Sequence, residues 1–256
     1  MAVCKVKNKE AIAPLFDGWQ ETFIWSCLQG CMGDAYSDDS DHPQSAQIVL
    51  GDICFFAGKV NEELIRNRQS YSQHDFIIMV PQDEYWSAAI EAVFGEKASR
   101  RMRYALKKES DIFDKAKLHG FVSSLPGGYE LQLIDSVLYE KTRRTSWSAD
   151  LCWNFPTYDN YQENGLGVVV LKEGEVVSGA SSYIFYRGGI EIEIDTREDE
   201  RRKGLATVCG AKLILECLER GLYPSWDAHN KESLALAEKL GYHFDREYPA
   251  YEIHGM

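Results

Sequence analysis

Two hydrophobic periods run through this chain, one helical and one alternating, and their order predicts its elements. Residues 11–33 place Ile12, Leu15, Phe16, Trp19, Phe23, Ile24, Cys27 and Leu28 at helical spacing, so a long amphipathic helix is expected there. Its apolar face reads equally as core or as the contact of a homodimer. Residues 47–50 and 53–56 are short β-rich runs broken at Gly51-Asp52, a hairpin signal. Asn61 stands before Glu62-Glu63-Leu64 as a helix cap. Residues 76–80 read as a buried strand, 83–95 as a helix stopped at Gly95, and 100–107 as one more strand. A helix near 110–118 follows. Pro126-Gly127-Gly128 is the strongest punctuation in mid-chain. It predicts a smaller α/β domain over residues 1–120 and a second domain over residues 125–256.

The second half is the more regular. Residues 129–134 alternate as a strand, and 135–155 are partly helical. A buried run at 167–171, a turn at Glu173-Gly174-Glu175, a long strand at 176–186 and a turn at Arg187-Gly188-Gly189 come in close succession. Residues 190–196 then alternate strictly, with Ile190, Ile192 and Ile194 on one face and Glu191, Glu193 and Asp195 on the other. This is an antiparallel meander. A charged loop at 197–203 leads into a helix over 204–220 ended by Gly221. A strand at 223–228 follows, then a helix at 231–240 between the cap Asn230 and the stop Gly241, and a last strand at 244–253. The fold class is α/β (α+β), a mixed, largely antiparallel sheet flanked by helices.

Charge narrows the partners. A net charge of −12 argues against nucleic acid, which needs a basic face, and is compatible with cationic acceptors such as amines. No apolar stretch approaches the ~20 residues of a membrane span, and no basic segment leads into an apolar run at the start, so no membrane association is expected. The seven cysteines fit a reducing cytoplasm. Cys27 and Cys31 share a helical face, which suits a redox or metal pair or two small core residues. No neighbouring His or Cys pair completes a metal set, so no metal is expected.

The chemistry lies in Arg201-Arg202-Lys203-Gly204-Leu205-Ala206-Thr207, between a strand and a helix. A glycine at a helix mouth lets backbone approach a ligand, and the first helical N–H groups point outward at the positive end of the dipole. With three basic side chains around it, this is an anion site suited to a pyrophosphate. The same residues also read as a solvated loop before an ordinary helix.

Arg-x-x-Gly-x-Ala after an Ile-rich strand resembles the pyrophosphate loop of the GNAT superfamily of N-acetyltransferases. Asn230-Lys-Glu-Ser233 before Glu238-Lys-Leu-Gly241-Tyr242 resembles that superfamily's next motif. The runs beginning Phe16-Asp-Gly-Trp and Cys54-Phe-Phe-Ala-Gly resemble the zwittermicin A resistance branch of it. The resemblance implies a GNAT-like C-terminal domain that takes acetyl-CoA as co-substrate and acetylates a primary amine, of a small molecule in that branch. The backbone of Ile194, Asp195 and Thr196 would pair with the pantetheine arm. Residues Arg202 to Thr207, with Arg201 beside them, would hold the pyrophosphate, and Asn230 and Ser233 would contact the arm. The N-terminal domain would be a degenerate copy of the same half-fold.

Glu193, Glu191 and Asp227 are the candidate general bases, each weighed against a merely solvated carboxylate. The superfamily pattern places a base at position 225 and an acid tyrosine at position 237, where this chain has Ser225 and Ala237. The Ala237 departure keeps open a non-catalytic acyl-CoA-binding module, and a protein or peptide amine stays open as the acceptor because charge does not separate it from a small molecule. The aromatic residues Trp147, Trp153, Phe155, Tyr158 and Tyr161 read either as the wall of an acceptor pocket, suited to a cation, or as packed core.

Overall fold

A computed structural model of the chain describes residues 3–67 and 76–255. The described residues form two compact units, residues 1–103 with 247–256, and residues 104–246. The division falls between Arg103 and Tyr104 rather than near Pro126, and the C-terminal strand returns to the first unit. A linear search for loop punctuation finds the Pro-Gly-Gly turn but cannot find a boundary that cuts through a strand.

The first unit opens with β1 (Cys4–Lys5), α1 (Thr22–Leu28), β2 (Asp34–Ser37), β3 (Ser45–Leu50) and β4 (Ile53–Gly58). It continues with α2 (Glu62–Ile65), β5 (Phe76–Val80), α3 (Glu84–Phe94) and β6 (Ala98–Leu106). The helix expected over 11–33 is broken into two 3-10 turns, Lys9–Ala11 and Ala13–Phe16, and the short α1. Pro14 sits at the start of the second turn and Gly18 has φ +84°, so neither continues a helix. The apolar positions are nonetheless inside, with Ile12, Phe16, Phe23, Ile24 and Cys27 all buried. The hairpin at Gly51-Asp52 forms as expected, with Leu50 opposite Ile53.

The second unit holds α4 (Lys115–Ser123), β7 (Tyr129–Leu133), α5 (Ser136–Thr142), α6 (Tyr158–Asn164), β8 (Gly167–Lys172), β9 (Glu175–Tyr186) and β10 (Gly189–Thr196). Then come α7 (Leu205–Glu219), β11 (Tyr223–Ser225), β12 (Asp227–Ala228) and α8 (Lys231–Leu240), before β13 (Phe244–His254) leads back to the first unit. Its sheet runs β11-β10-β9-β8-β7, antiparallel throughout except for the parallel pair β10–β11. The helix expected near 110–118 lies later, at α4, where Asp114 caps it through the Lys117 N–H. The strand expected over 223–228 is two strands with different neighbours. Ile190, Ile192 and Val208 share a core with Leu213, Ile214, Ala237 and Leu240; α7 packs on β10, and α8 packs against α7. α8 is bounded as expected: Asn230 Oδ1 accepts from Ser233 N at 2.8 Å, and Gly241 in the left-handed region directs its N–H to Ala237 and Glu238.

One buried carboxylate ties the meander to the segment after it. Glu200 ends a 3-10 turn (Glu198–Glu200), and its side chain is 2% exposed. It accepts from Lys172 of β8 at 2.8 Å, from Lys203 at 2.7 Å and from the Tyr129 hydroxyl of β7 at 2.5 Å. The Lys172 and Lys203 ammonium groups, then the Tyr129 hydroxyl, hold its carboxyl down at about 2. The stability this lends is complete above the ordinary carboxyl value and is lost as pH falls through about 2. In thermal unfolding followed against pH, Glu200→Gln should therefore unfold at lower temperature at neutral pH and show a shallower acid decline than wild type below pH 4.5. Equal slopes would show that Glu200 does not carry this term.

Gly189 is fixed by packing. A Cβ there would lie 2.3 Å from the backbone oxygen of Tyr223. Gly189→Ala should lower stability by about 1–3 kcal/mol in denaturant unfolding. Gly127→Ala, with open space around it, should change it little.

Candidate active site

The centre of the second unit is the edge of β10. One edge pairs with β9 along its whole length. The other meets β11 only at its start, with Gly189, Ile190 and Glu191 opposite Tyr223, Pro224 and Ser225. At Trp226 the chain turns away, and Asp227 and Ala228 pair instead with Ala105 and Tyr104. Among the described residues, no strand pairs with that edge of β10 from Ile192 to Thr196. Side chains fix the parting. The Tyr242 hydroxyl donates to Pro224 O at 2.5 Å, the Tyr186 and Ser225 hydroxyls are 2.8 Å apart, and the Tyr242 ring packs edge-on to Trp226 and Phe113. An edge of this kind offers alternating N–H and C=O groups to an extended, amide-bearing ligand.

The open edge leads into the basic loop. Arg202 has φ +61° and Gly204 φ +82°, two left-handed residues flanking Lys203. Such alternation turns successive N–H groups toward one side, the geometry in which backbone cradles an anion. Arg202 adopts it against the preference of a residue with a Cβ. Gly204 is the N-cap of α7, and its carbonyl accepts from Val208 N. Leu205, Ala206 and Thr207 occupy the first turn, where N–H groups lack intrahelical acceptors.

The three basic side chains do not act alike, which corrects the picture of a uniformly basic rim. Arg201 turns back to the strand end, with Nε donating to Thr196 O at 3.0 Å and a terminal nitrogen 3.6 Å from Asp195 Oδ1. Lys203 is committed to Glu200 and to the carbonyl of Asp199. Arg202 is exposed and has no ion-pair partner among the described residues. The loop's readiness for an anion therefore rests on its backbone and on Arg202.

Glu191, Glu193 and Asp195 line the face of β10 opposite the isoleucines. Glu191 is 4% exposed, whereas Glu193, Asp195 and Asp227 are half-buried. Burial raises the Asp195 carboxyl, and the Thr196 N–H and Arg201 oppose that rise. Asn230 and Ser233 meet each other at the mouth of α8, where the Asn230 oxygen serves as helix cap. Ala237 of α8 is fully buried in the core shared with α7.

The aromatic residues resolve mostly as core. Phe155 and Tyr161 are buried, with the Tyr161 hydroxyl 2.7 Å from that of Ser181. Arg143 already lies over the rings of Tyr139 and Trp153, at 5.1 and 5.4 Å, so the cation–π partner there comes from the chain itself. Cys27 and Cys31 are free thiols, as are the other five cysteines. Among the described residues no group of three or more His, Cys, Asp or Glu could hold a metal, and no helix is long and apolar enough to cross a membrane. Glu200 was not singled out by its sequence, because a Glu in a run of charges reads as solvated.

The comparisons with known proteins agree on one family. A family model described as GNAT acetyltransferase matches residues 13–251. The chain is 28% identical, over 96% of its length and 95% of the relative's, to the uncharacterized N-acetyltransferase YdfB of Bacillus subtilis (strain 168). It is 48% identical to a GCN5-related N-acetyltransferase-like protein from Streptococcus suis 89/1591, whose crystal structure covers 97% of this chain and 99% of its own at TM-score 0.92. A tandem GNAT protein from the clavulanic acid biosynthesis pathway shares the fold alone, at 9% identity and TM-score 0.56 over 99% of each chain. By the span of that family match, and by a meander, parted strand and left-handed loop set as described, the chain belongs to the GNAT acetyltransferase family.

Proposed function

We propose that this protein transfers an acetyl group from acetyl-CoA to a primary amine of a small molecule, with the donor held in residues 125–256. The observation that carries the reading is the open edge of β10 running into the loop with left-handed Arg202 and Gly204. The edge from Ile194 to Thr196 fits the amide groups of the pantetheine arm, and the N–H groups of residues 202–207 fit the pyrophosphate. Arg202 adds one uncommitted positive charge. Asn230 and Ser233 stand at the neighbouring helix mouth to meet the arm.

The reaction forms an N–C amide bond and breaks the C–S thioester bond. The amine must lose a proton, and the departing thiolate must gain one. Glu193 is the preferred base. It lies on the open part of β10 and remains half-exposed, whereas Glu191 is enclosed at the closed end beside Ser225. Asp227, just past the parting, is the second candidate. A β10 N–H steadies the carbonyl oxygen as charge develops on it.

The acceptor class follows from the acidic face of β10, and the likeness of residues 16–22 and 54–58 to the zwittermicin A resistance branch points to a small molecule. The first unit is read as a degenerate GNAT-like half without the loop, consistent with the tandem fold likeness. A non-catalytic acyl-CoA-binding module is the second reading, favoured by Ala237 at the position where the family pattern has a tyrosine.

Calorimetric titration with acetyl-CoA tests the donor. Micromolar binding by the wild type, abolished in the Arg202→Glu, Gly204→Glu variant, is expected. Absence of wild-type binding would sink the reading. With an accepted amine in hand, Glu193→Gln should lower turnover roughly a hundredfold while acetyl-CoA affinity stays unchanged. Unaltered turnover in both Glu193→Gln and Asp227→Asn would remove these residues as bases.

A further inference from the structure

The face of β10 that carries Glu193 and Asp195 continues across the ladder into β9. Glu193 stands opposite Ser181, and Asp195 opposite Gly179, so the members of each pair leave the sheet on the same side. Such partners hold their Cβ atoms about 4.5–5.5 Å apart. A 3-10 turn, Ala149–Leu151, packs over that side, where a Cβ at Gly179 would lie 2.5 Å from Leu151 Cδ1. Tyr161 of α6 reaches it too, with its hydroxyl 2.7 Å from that of Ser181. All these residues belong to the second unit.

A buried hydroxyl pair is an expensive way to fill a core. Ser181 and Tyr161 are both buried, and the Tyr161 ring packs with Tyr139, Leu151, Phe155 and Val169. Gly167 makes room for them, since a Cβ there would lie 2.3 Å from the Tyr161 hydroxyl and 2.5 Å from Ser181 Oγ. Phenylalanine and alanine would fill the same space without burying two polar groups. Burial keeps the Tyr161 hydroxyl protonated, well above the ordinary tyrosine range. Each hydroxyl has one proton to give. If Tyr161 donates to Ser181, the Ser181 proton needs an acceptor of its own. Leu166 O is a poor one, 3.4 Å away and already accepting from Ser182 N at 2.8 Å and Ser182 Oγ at 3.0 Å. The carboxylate across the ladder is Glu193.

We propose that Ser181 and Tyr161 are positioning residues for Glu193, with Tyr161 donating to Ser181 and Ser181 donating to the Glu193 carboxylate. This rests on the reading of Glu193 as the base. A hydrogen bond to an ionised acceptor is stronger than a neutral one, and donation from Tyr161 polarises it further. The bond holds one carboxylate oxygen toward β9 and leaves the other to take the proton of the acceptor amine. It also favours the ionised form, so the base is ready at neutral pH. The other ionisable groups on this part of the unit are Glu191 and Asp195 of β10, Asp150 of the 3-10 turn, the Cys152 thiol after it, Tyr223 of β11 and Asp227 of β12. They are the same in every variant below and cancel in the comparison.

Carbon NMR titration of the full chain, labelled at the glutamate carboxyls, provides the test, with the Glu193 signal identified by its loss in Glu193→Gln. Ser181→Ala should move the Glu193 midpoint up by about half a pH unit or more, because a donor to the charged form is gone. Tyr161→Phe should move it the same way by less. Adding Tyr161→Phe to Ser181→Ala should move it no further, since Tyr161 acts only through Ser181. A hydroxyl pair that merely fills the core would leave the midpoint in place in all three. The Glu200 carboxyl, held at about 2, reports an intact second unit in each variant. An unmoved midpoint would overturn this proposal and leave the readings of the donor and of Glu193 standing. Unaltered turnover in Glu193→Gln would overturn the base reading, and the positioning role with it, whatever the midpoint does.

Discussion

A strand can hydrogen-bond on both edges, and β10 is given a partner on its second edge for only three residues. Much of the candidate site depends on that short pairing. Had residues 223–228 continued alongside, the edge from Ile192 to Thr196 would be spent inside the sheet. Instead the chain departs at Trp226, with Asp227 and Ala228 joining Tyr104 and Ala105. The departure is held by specific contacts. Tyr242 grips the Pro224 carbonyl, Tyr186 meets Ser225, and Gly189 leaves room for the close passage of Tyr223. Tyr242 thus has a structural task at the parting. Burial pushes its hydroxyl well above the ordinary tyrosine range, which suits a fixed donor and not an acid.

The loop shows how charge and backbone divide the work. Read along the chain, three basic residues in a row look like an anion clamp. In the folded unit, two of them are structural. Arg201 closes the end of β10, and Lys203 joins Lys172 and Tyr129 on Glu200. Their contacts anchor the chain on either side of Arg202, one of the loop's two left-handed residues. Arg202 takes such a turn despite its side chain, a local strain of the kind that persists where surrounding contacts over-determine it.

Most of the second unit was legible in the sequence because its periods are clean. The alternation of 190–196 gave the strand and its two faces, and the Asn230 and Gly241 signals gave α8. The loop was legible by pattern. Elsewhere the linear signal misled for identifiable reasons. Helical spacing over 11–33 was real as burial but not as helix, since Pro14 and Gly18 interrupt it. A continuous β-rich run at 223–228 concealed a change of partner at Trp226, which only tertiary pairing decides. The aromatic cluster before the meander could have been pocket or core, and the burial of Phe155 and Tyr161 places those two rings in the core. Glu200 was invisible because its meaning lies in neighbours distant along the chain.

The partial neutralisation of the loop has a kinetic consequence for the proposed site. With Lys203 balanced by Glu200 and Arg201 set against Asp195, the pull of the proposed site on an anion would come from oriented N–H dipoles and, among the loop's three basic side chains, from Arg202 alone. A dipolar field falls off more steeply with distance than the field of a bare charge, while the chain's overall negative charge repels an anion at long range. In the proposed role, capture at the loop would be mainly a short-range event. Raising ionic strength should screen the long-range repulsion more than the close hydrogen bonds, so the encounter is expected to quicken in salt where a basic clamp would slow.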